Sequence, residues 1–179
     1  SYRHVLRDIG ENPEREGLVK TPERAAKAMQ FLTQGYEIDP SEIIKSALFK
    51  EDYSQMVLVK DIEVYSLCEH HILPFFGKAH VAYISSGKVI GLSKLNRLVE
   101  YFSKRPQVQE RLTMQVGKAL QTVLQTQDVA VMMDAKHLCV SSRGVKDDSS
   151  NTITTFYGGK FQEEKTKMEF LKLIEINDK

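Results

Sequence analysis

The hydrophobic rhythm of the chain changes near Met56. Before it, apolar residues recur three or four apart, as on one face of a helix. Tyr2 to Ile9 reads as a helix closed by Gly10. Thr21-Pro22-Glu23 predicts a helix start, with Thr21 as N-cap and Ala25, Ala28, Met29 and Leu32 on one face. Asp39-Pro40-Ser41 opens a shorter helix through Ile43 and Ile44 by the same logic.

From Met56 the pattern is that of extended chain. Met56-Val57-Leu58-Val59 and Ile62-Glu63-Val64-Tyr65 are rich in β-branched residues, and this run delivers Cys68 at a strand end. Pro74 and Gly77 mark a connection, and Lys78 to Ile84 reads as a second strand carrying His80 on its surface. A turn at Ser85–Lys88 precedes extended Val89 to Leu92. Ser93 is the expected N-cap of a helix with Leu95, Leu98, Val99 and Phe102 inward. Pro106 ends it. A longer helix bears Val108, Leu112, Val116, Leu120 and Leu124 on one stripe. Val129 to Met133 returns to strand and runs into His137-Leu138-Cys139-Val140, where alternation puts His137 and Cys139 on one side. After a polar loop at 147–151, Thr152 to Tyr157 is a further strand. Lys165 to Ile174 forms a closing helix with Met168, Leu171 and Leu173 or Ile174 inward. Hairpins followed by helices predict an α+β fold, an antiparallel sheet with helices on one side. The expected division is an N-terminal helical region, 1–52, and a catalytic domain, 53–179.

Composition narrows the function classes. Apolar residues make up 41% of the 179 positions and charged residues 27%, normal for a globular domain. A net charge of +1 speaks against a general nucleic-acid or membrane-surface binder, though not against a local basic pocket. No run approaches the length of a membrane span, and Ser1-Tyr2-Arg3-His4 has no signal-peptide character. Two widely spaced cysteines beside histidines suit a reducing compartment and a metal, so a cytoplasmic location is expected.

Those two cysteines, Cys68 and Cys139, carry the chemistry. Three of the five histidines, His70, His71 and His137, lie within three residues of one or the other. Either thiol alone would be read as an ordinary buried cysteine. Together they offer the thiolate and imidazole donors that zinc favours, and three protein ligands leave a position for water. Zinc lowers the pKa of bound water from about 15.7 to about 7, worth on the order of 12 kcal/mol. Two histidines remain for proton transfer. Lys94 and Arg97 on the turn after Ser93, with Arg143 four residues beyond Cys139, offer phosphate ligands. Glu110, preceded by Gln109, offers a carboxylate to purine N–H groups. Arg24 and Lys27, three apart, are by spacing alone a solvated face.

Taken together, Thr21-Pro22-Glu23-Arg24, Cys68-Glu69-His70-His71, Val89 to Arg97, Arg105 to Leu112 and His137-Leu138-Cys139 with Arg143-Gly144 resemble the GTP cyclohydrolase I family over nearly the whole chain. The resemblance implies a tunnelling fold (T-fold), in which subunits join their sheets into a ring and two pentamers stack as a decamer with active sites at subunit interfaces. It implies GTP as substrate, and 7,8-dihydroneopterin triphosphate and formate as products. By the resemblance, Cys68, His71 and Cys139 hold zinc, and His70 and His137 assist proton transfer. Glu110 with Gln109 anchors guanine. Ser93, Lys94, Arg97 and Arg143 hold ribose and triphosphate, with Arg24 and Lys27 adding charge. Two other readings compete: a nitrile reductase of the same fold, whose cysteine is a free nucleophile, and a zinc-stapled module without catalysis.

Overall fold

A computed structural model describes residues 1–176. Its first helices, α1 (Tyr2–Asp8) and α2 (Thr21–Leu32), bury no residue within the chain. Thr21 is the first helical residue of α2 and not its cap. Lys20 is already near helical geometry, so the backbone enters the helix early, and the Thr21 hydroxyl donates backwards to the Gly17 carbonyl at 3.3 Å. In α3 (Pro40–Lys45) the expected start holds: Asp39 accepts from the Ser41 N–H at 2.9 Å. Ile44 of this helix is fully buried in the main core.

The strands are β1 (Leu48–Lys50), β2 (Met56–Cys68), β3 (Pro74–Ile84), β4 (Lys88–Ile90), β5 (Pro106–Gln107), β6 (Val129–His137) and β7 (Thr152–Tyr157). The main sheet has the order β5-β2-β3-β6-β7, antiparallel except for the short β5, which runs parallel to the end of β2. β1 and β4 form a separate ribbon. On one face lie α4 (Leu92–Ser103) and α5 (Gln109–Leu124), whose Leu95, Leu98, Val99, Leu112, Val116 and Leu120 pack on Val64, Val81 and Val131. α5 can approach β7 closely because residue 117 is glycine; a Cβ there would meet the Phe156 ring at 2.4 Å. The architecture is the expected α+β arrangement. The closing helix α7 (Glu164–Glu175) alone takes the opposite face, where Phe170 and Phe161 cover Ala82 and Ala130.

Several local expectations change. Met168 is 46% exposed, while Leu171 and Ile174 pack inward as expected around Phe170, the fully buried residue of α7, whose ring is edge-to-face with Phe161 at 5.9 Å. β3 already begins at Pro74, the one strand position that tolerates proline well, and Gly77 lies inside it. Glycine is required there because a Cβ would sit 1.9 Å from the Asp134 carbonyl on β6. His80 is buried, not on the surface. It accepts the Asp61 N–H at 3.1 Å, where a bulge puts Asp61 in the left-handed region at φ 59. Leu92 already belongs to α4, Gly91 is its N-cap, and Ser93 makes no capping bond. β6 ends at His137, and α6 (Leu138–Ser141) is a single helical turn, so strand alternation does not reach Cys139.

Candidate metal centre

The sheet's register brings two chain ends to one corner. Leu67 pairs with Pro74 across β2 and β3, and Phe75 pairs with His137 across β3 and β6. Cys68, one residue past Leu67, and Cys139, two past His137, therefore meet beside the β3 start. After Cys68 the chain turns sharply: the Cys68 carbonyl accepts from the Ile72 N–H and the Leu73 carbonyl accepts from the Cys68 N–H, each at 2.8 Å. The turn requires a left-handed residue, Ile72 at φ 54, and it folds His71 back over the strand end.

The Cys68 Sγ to His71 Nδ1 distance is 3.7 Å, and the ligand atoms of Cys68, His71 and Cys139 all lie within 4.8 Å of one another. Around a tetrahedral zinc, with ordinary metal–sulfur and metal–nitrogen bonds, sulfur and nitrogen would stand about 3.6 Å apart. The donor set fits such an ion. Burial, then the neighbouring Cys68 sulfur, push the Cys139 thiol above its ordinary range, and Arg143 partly opposes this. Ionising both thiols so close together would need a nearby cation. The Arg143 Nη1 lies 3.2 Å from His71 Nε2, so this cation sits at the metal corner.

The two spare histidines differ. His70 is 68% exposed, with Nδ1 3.9 Å from Cys68 Sγ and Nε2 3.9 Å from Glu69 Oε1. His137 is half-buried, stacked on Phe75 at 4.5 Å and 9°. Burial holds its pKa below the usual histidine range, with the Glu110 charge opposing. Its Nε2 lies 2.6 Å from Gln109 Oε1.

Gln109, Glu110 and Arg111 open α5, and each turns a different way. Glu110 is exposed and near enough to His137 to act on it electrostatically. Arg111 grips Glu69 with two bonds, 2.6 and 3.2 Å, which lowers the Glu69 pKa through that hydrogen bonding. Gln109 turns inward, 2% exposed, and its amide is hydrogen-bonded inside the protein. Sequence reading missed the Glu69–Arg111 pair, although both residues lie in the quoted motifs with opposite charge. It also missed Phe75, which only the β3–β6 register could have revealed.

The structure gathers Cys68, His70, His71, Gln109, Glu110, His137, Cys139 and Arg143 in one region. It does not bring Ser93, Lys94 and Arg97 there. α4 meets the metal strand at its C-terminal end, where the Gln107 side chain donates to the Phe102 carbonyl while Gln107 pairs with Cys68. Ser93 and Lys94 begin the same helix, on the order of 14 Å away along its axis, beside Ala47 and the β1–β4 ribbon. Arg24 and Lys27 lie on exposed positions of α2, with Lys27 paired to Glu23 at 2.6 Å.

Residues 1–175 match the family model of GTP cyclohydrolase I. GTP cyclohydrolase 1 of Chlorobium phaeovibrioides is 57% identical over 171 residues, 95% of this chain and 77% of that protein. The enzyme of Bacteroides fragilis is 54% identical over 173 residues, 97% and 89% of the two chains. That of Parabacteroides distasonis is 54% identical over 177 residues, 98% and 90%. A match over almost the full chain, with the two cysteines and a histidine of the motifs converging in space, means that this chain belongs to the GTP cyclohydrolase I family.

Proposed function

We propose that the protein converts GTP and water to 7,8-dihydroneopterin triphosphate and formate, with zinc held by Cys68, His71 and Cys139. The observation that carries this reading is the convergence of two sulfurs and one imidazole nitrogen, from two strand ends, within 4.8 Å. Among the described residues the cluster has three members, which leaves a coordination position for solvent, whereas a purely structural zinc is closed by four protein ligands. Zinc there would supply Lewis-acid activation of water near neutral pH.

The remaining work falls to this chain's own side chains. His137 exchanges a proton with the opening ring, its plane set by Phe75 and Gln109. His70, on the exposed side, assists from the solvent face. Glu110 accepts hydrogen bonds from guanine N–H groups, and Arg143 faces the anionic part of the substrate. Ser93, Lys94 and Arg97, with Arg24 and Lys27 adding charge, would hold ribose and triphosphate from a second copy, because α4 carries them away from its own chain's metal corner. Two open sheet edges support assembly into a ring: β2 pairs with β5 only at Leu67 and Cys68, and β7 pairs only with β6. We take the ring to be the family's decamer of two stacked pentamers. Among the described residues no helix is long and apolar enough to cross a membrane, and both cysteines are free, which fits the cytoplasmic location we assign.

Incubating purified protein with GTP, then oxidising and reading pterin fluorescence together with formate, tests the reading. Both products should appear, vanish on zinc chelation and return with added zinc. A zinc-loaded oligomer that yields neither product overturns it.

A further inference from the structure

We infer that a closed circuit of hydrogen bonds through Gln109, Thr113 and Thr154 fixes His137 with its proton on Nε2, leaving Nδ1 as the atom that takes or gives a proton in the reaction. The inference rests on the cyclohydrolase reading for its consequence, but the circuit stands on geometry alone.

Each proton can be placed by elimination. The Gln109 amide end facing the sheet has the Met133 carbonyl at 3.3 Å and the Thr152 carbonyl at 3.0 Å. Carbonyls only accept, so that end is the NH2 group and the amide cannot be flipped. The Thr113 hydroxyl lies 2.9 Å from the Gln109 main-chain carbonyl and must donate to it. Its proton is thereby used, so in the 2.7 Å contact between Thr113 and Thr154 the donor is Thr154. The Thr154 oxygen is then free to accept one of the two Gln109 Nε2 hydrogens at 3.0 Å, the other serving the Thr152 carbonyl and, at the longer 3.3 Å, the Met133 carbonyl. Gln109 Oε1 is left facing His137 Nε2 at 2.6 Å. An amide oxygen only accepts, so the ring nitrogen opposite it carries hydrogen.

The circuit is stiff. Gln109 is 2% and Thr113 1% exposed, so an alternative arrangement would strand a buried donor or acceptor. Phe75, stacked on the ring, limits its tilt. Among the described residues no hydrogen bond occupies His137 Nδ1. Gln109 is thus a positioning residue: its amide is taken up inside the protein and decides which imidazole nitrogen has a lone pair to offer.

The test combines activity with a direct view of the ring. Gln109→Met keeps the side-chain volume and removes both ends of the amide. It should retain zinc, leave the KM for GTP within about twofold and lower kcat on the order of 10–100-fold, as other supporting residues do. On a His137→Ala background the same change should have no further effect on kcat. A raised KM with kcat spared would return Gln109 to substrate binding, and an equal loss of kcat without His137 would make its role merely structural; either overturns the inference. Solid-state 15N spectra of histidine-labelled protein, with the His137 signal assigned by its absence in His137→Ala, should show hydrogen on Nε2 and a bare Nδ1. This reading needs only the wild-type fold, so it decides even if Gln109→Met fails to fold. A proton on Nδ1 refutes the circuit. A wild type showing the expected tautomer but no pterin would instead fail the cyclohydrolase reading and leave the circuit intact.

Discussion

The two ends of α4 could hardly differ more. Its C-terminal end abuts the corner where two thiols, an imidazole and the proton-transfer histidine are assembled by one chain's sheet register. Its N-terminal end starts beside Ala47 and the β1–β4 ribbon with Ser93 and Lys94, and Arg97, a turn on, lines a cavity with Gln34, Ile38 and Tyr101. Bond-making chemistry needs sub-ångström placement, which backbone register within one sheet provides. Charge neutralisation tolerates looser placement, so a neighbouring copy can supply it. On the proposed assignment, the protein would keep the demanding half of its site inside a single fold.

Replacing Cys139 with Ala should break the comparison most severely. Metal analysis should find zinc lost, and GTP turnover should fall on the order of 10³-fold or more. Replacing Lys94 and Arg97 together with Ala should leave zinc in place and raise the KM for GTP roughly 10²–10⁴-fold, since two charge-assisted bonds of about 1.5–3 kcal/mol each are lost. Co-expressing that double variant with Cys139→Ala, each impaired alone at low GTP, should restore part of the activity at low GTP through mixed sites. No recovery in a verified hetero-oligomer would mean that both halves come from one chain.

How much of this could be read from the sequence follows from the same contrast. The convergence of Cys68, His71 and Cys139 was legible because soft ligands are rare here and each cysteine sits beside histidine. The strands were legible wherever β-branched residues alternate, and the α5 stripe because Leu112, Val116, Leu120 and Leu124 keep helical spacing. What failed depended on where an element stops. His137 ends its strand, so Cys139 reaches the metal corner from a helical turn and not by alternation. Gln109 lies next to exposed Glu110, yet it points inward, because successive helix positions differ by about 100° in direction. The place of Lys94 relative to Cys68 is set by how α4 crosses the sheet, and no local pattern records that.

Smaller effects sharpen the picture. Asp39→Ala should lower the melting temperature by about 2–4 °C through loss of a cap, whereas Thr21→Ala should change it little, since Thr21 caps nothing. Glu69→Gln tests the exposed clamp between the metal turn and α5. Arg111 depresses the Glu69 pKa, so the pair's contribution is full at neutral pH and is lost as pH falls through that lowered value. The small melting-temperature difference between wild type and Glu69→Gln should therefore shrink on acidification, with zinc content unchanged. A difference that grows on acidification would mean that the pair is not what joins the two elements.

The most direct test of the metal corner is the zinc K-edge absorption spectrum of the purified protein without substrate. Two sulfurs at about 2.3 Å and two lighter atoms at about 2.0–2.1 Å, the His71 nitrogen and a solvent oxygen that exchanges on adding GTP, are the expected result. A shell with one sulfur or none, or a closed shell of four protein ligands indifferent to GTP, would contradict it.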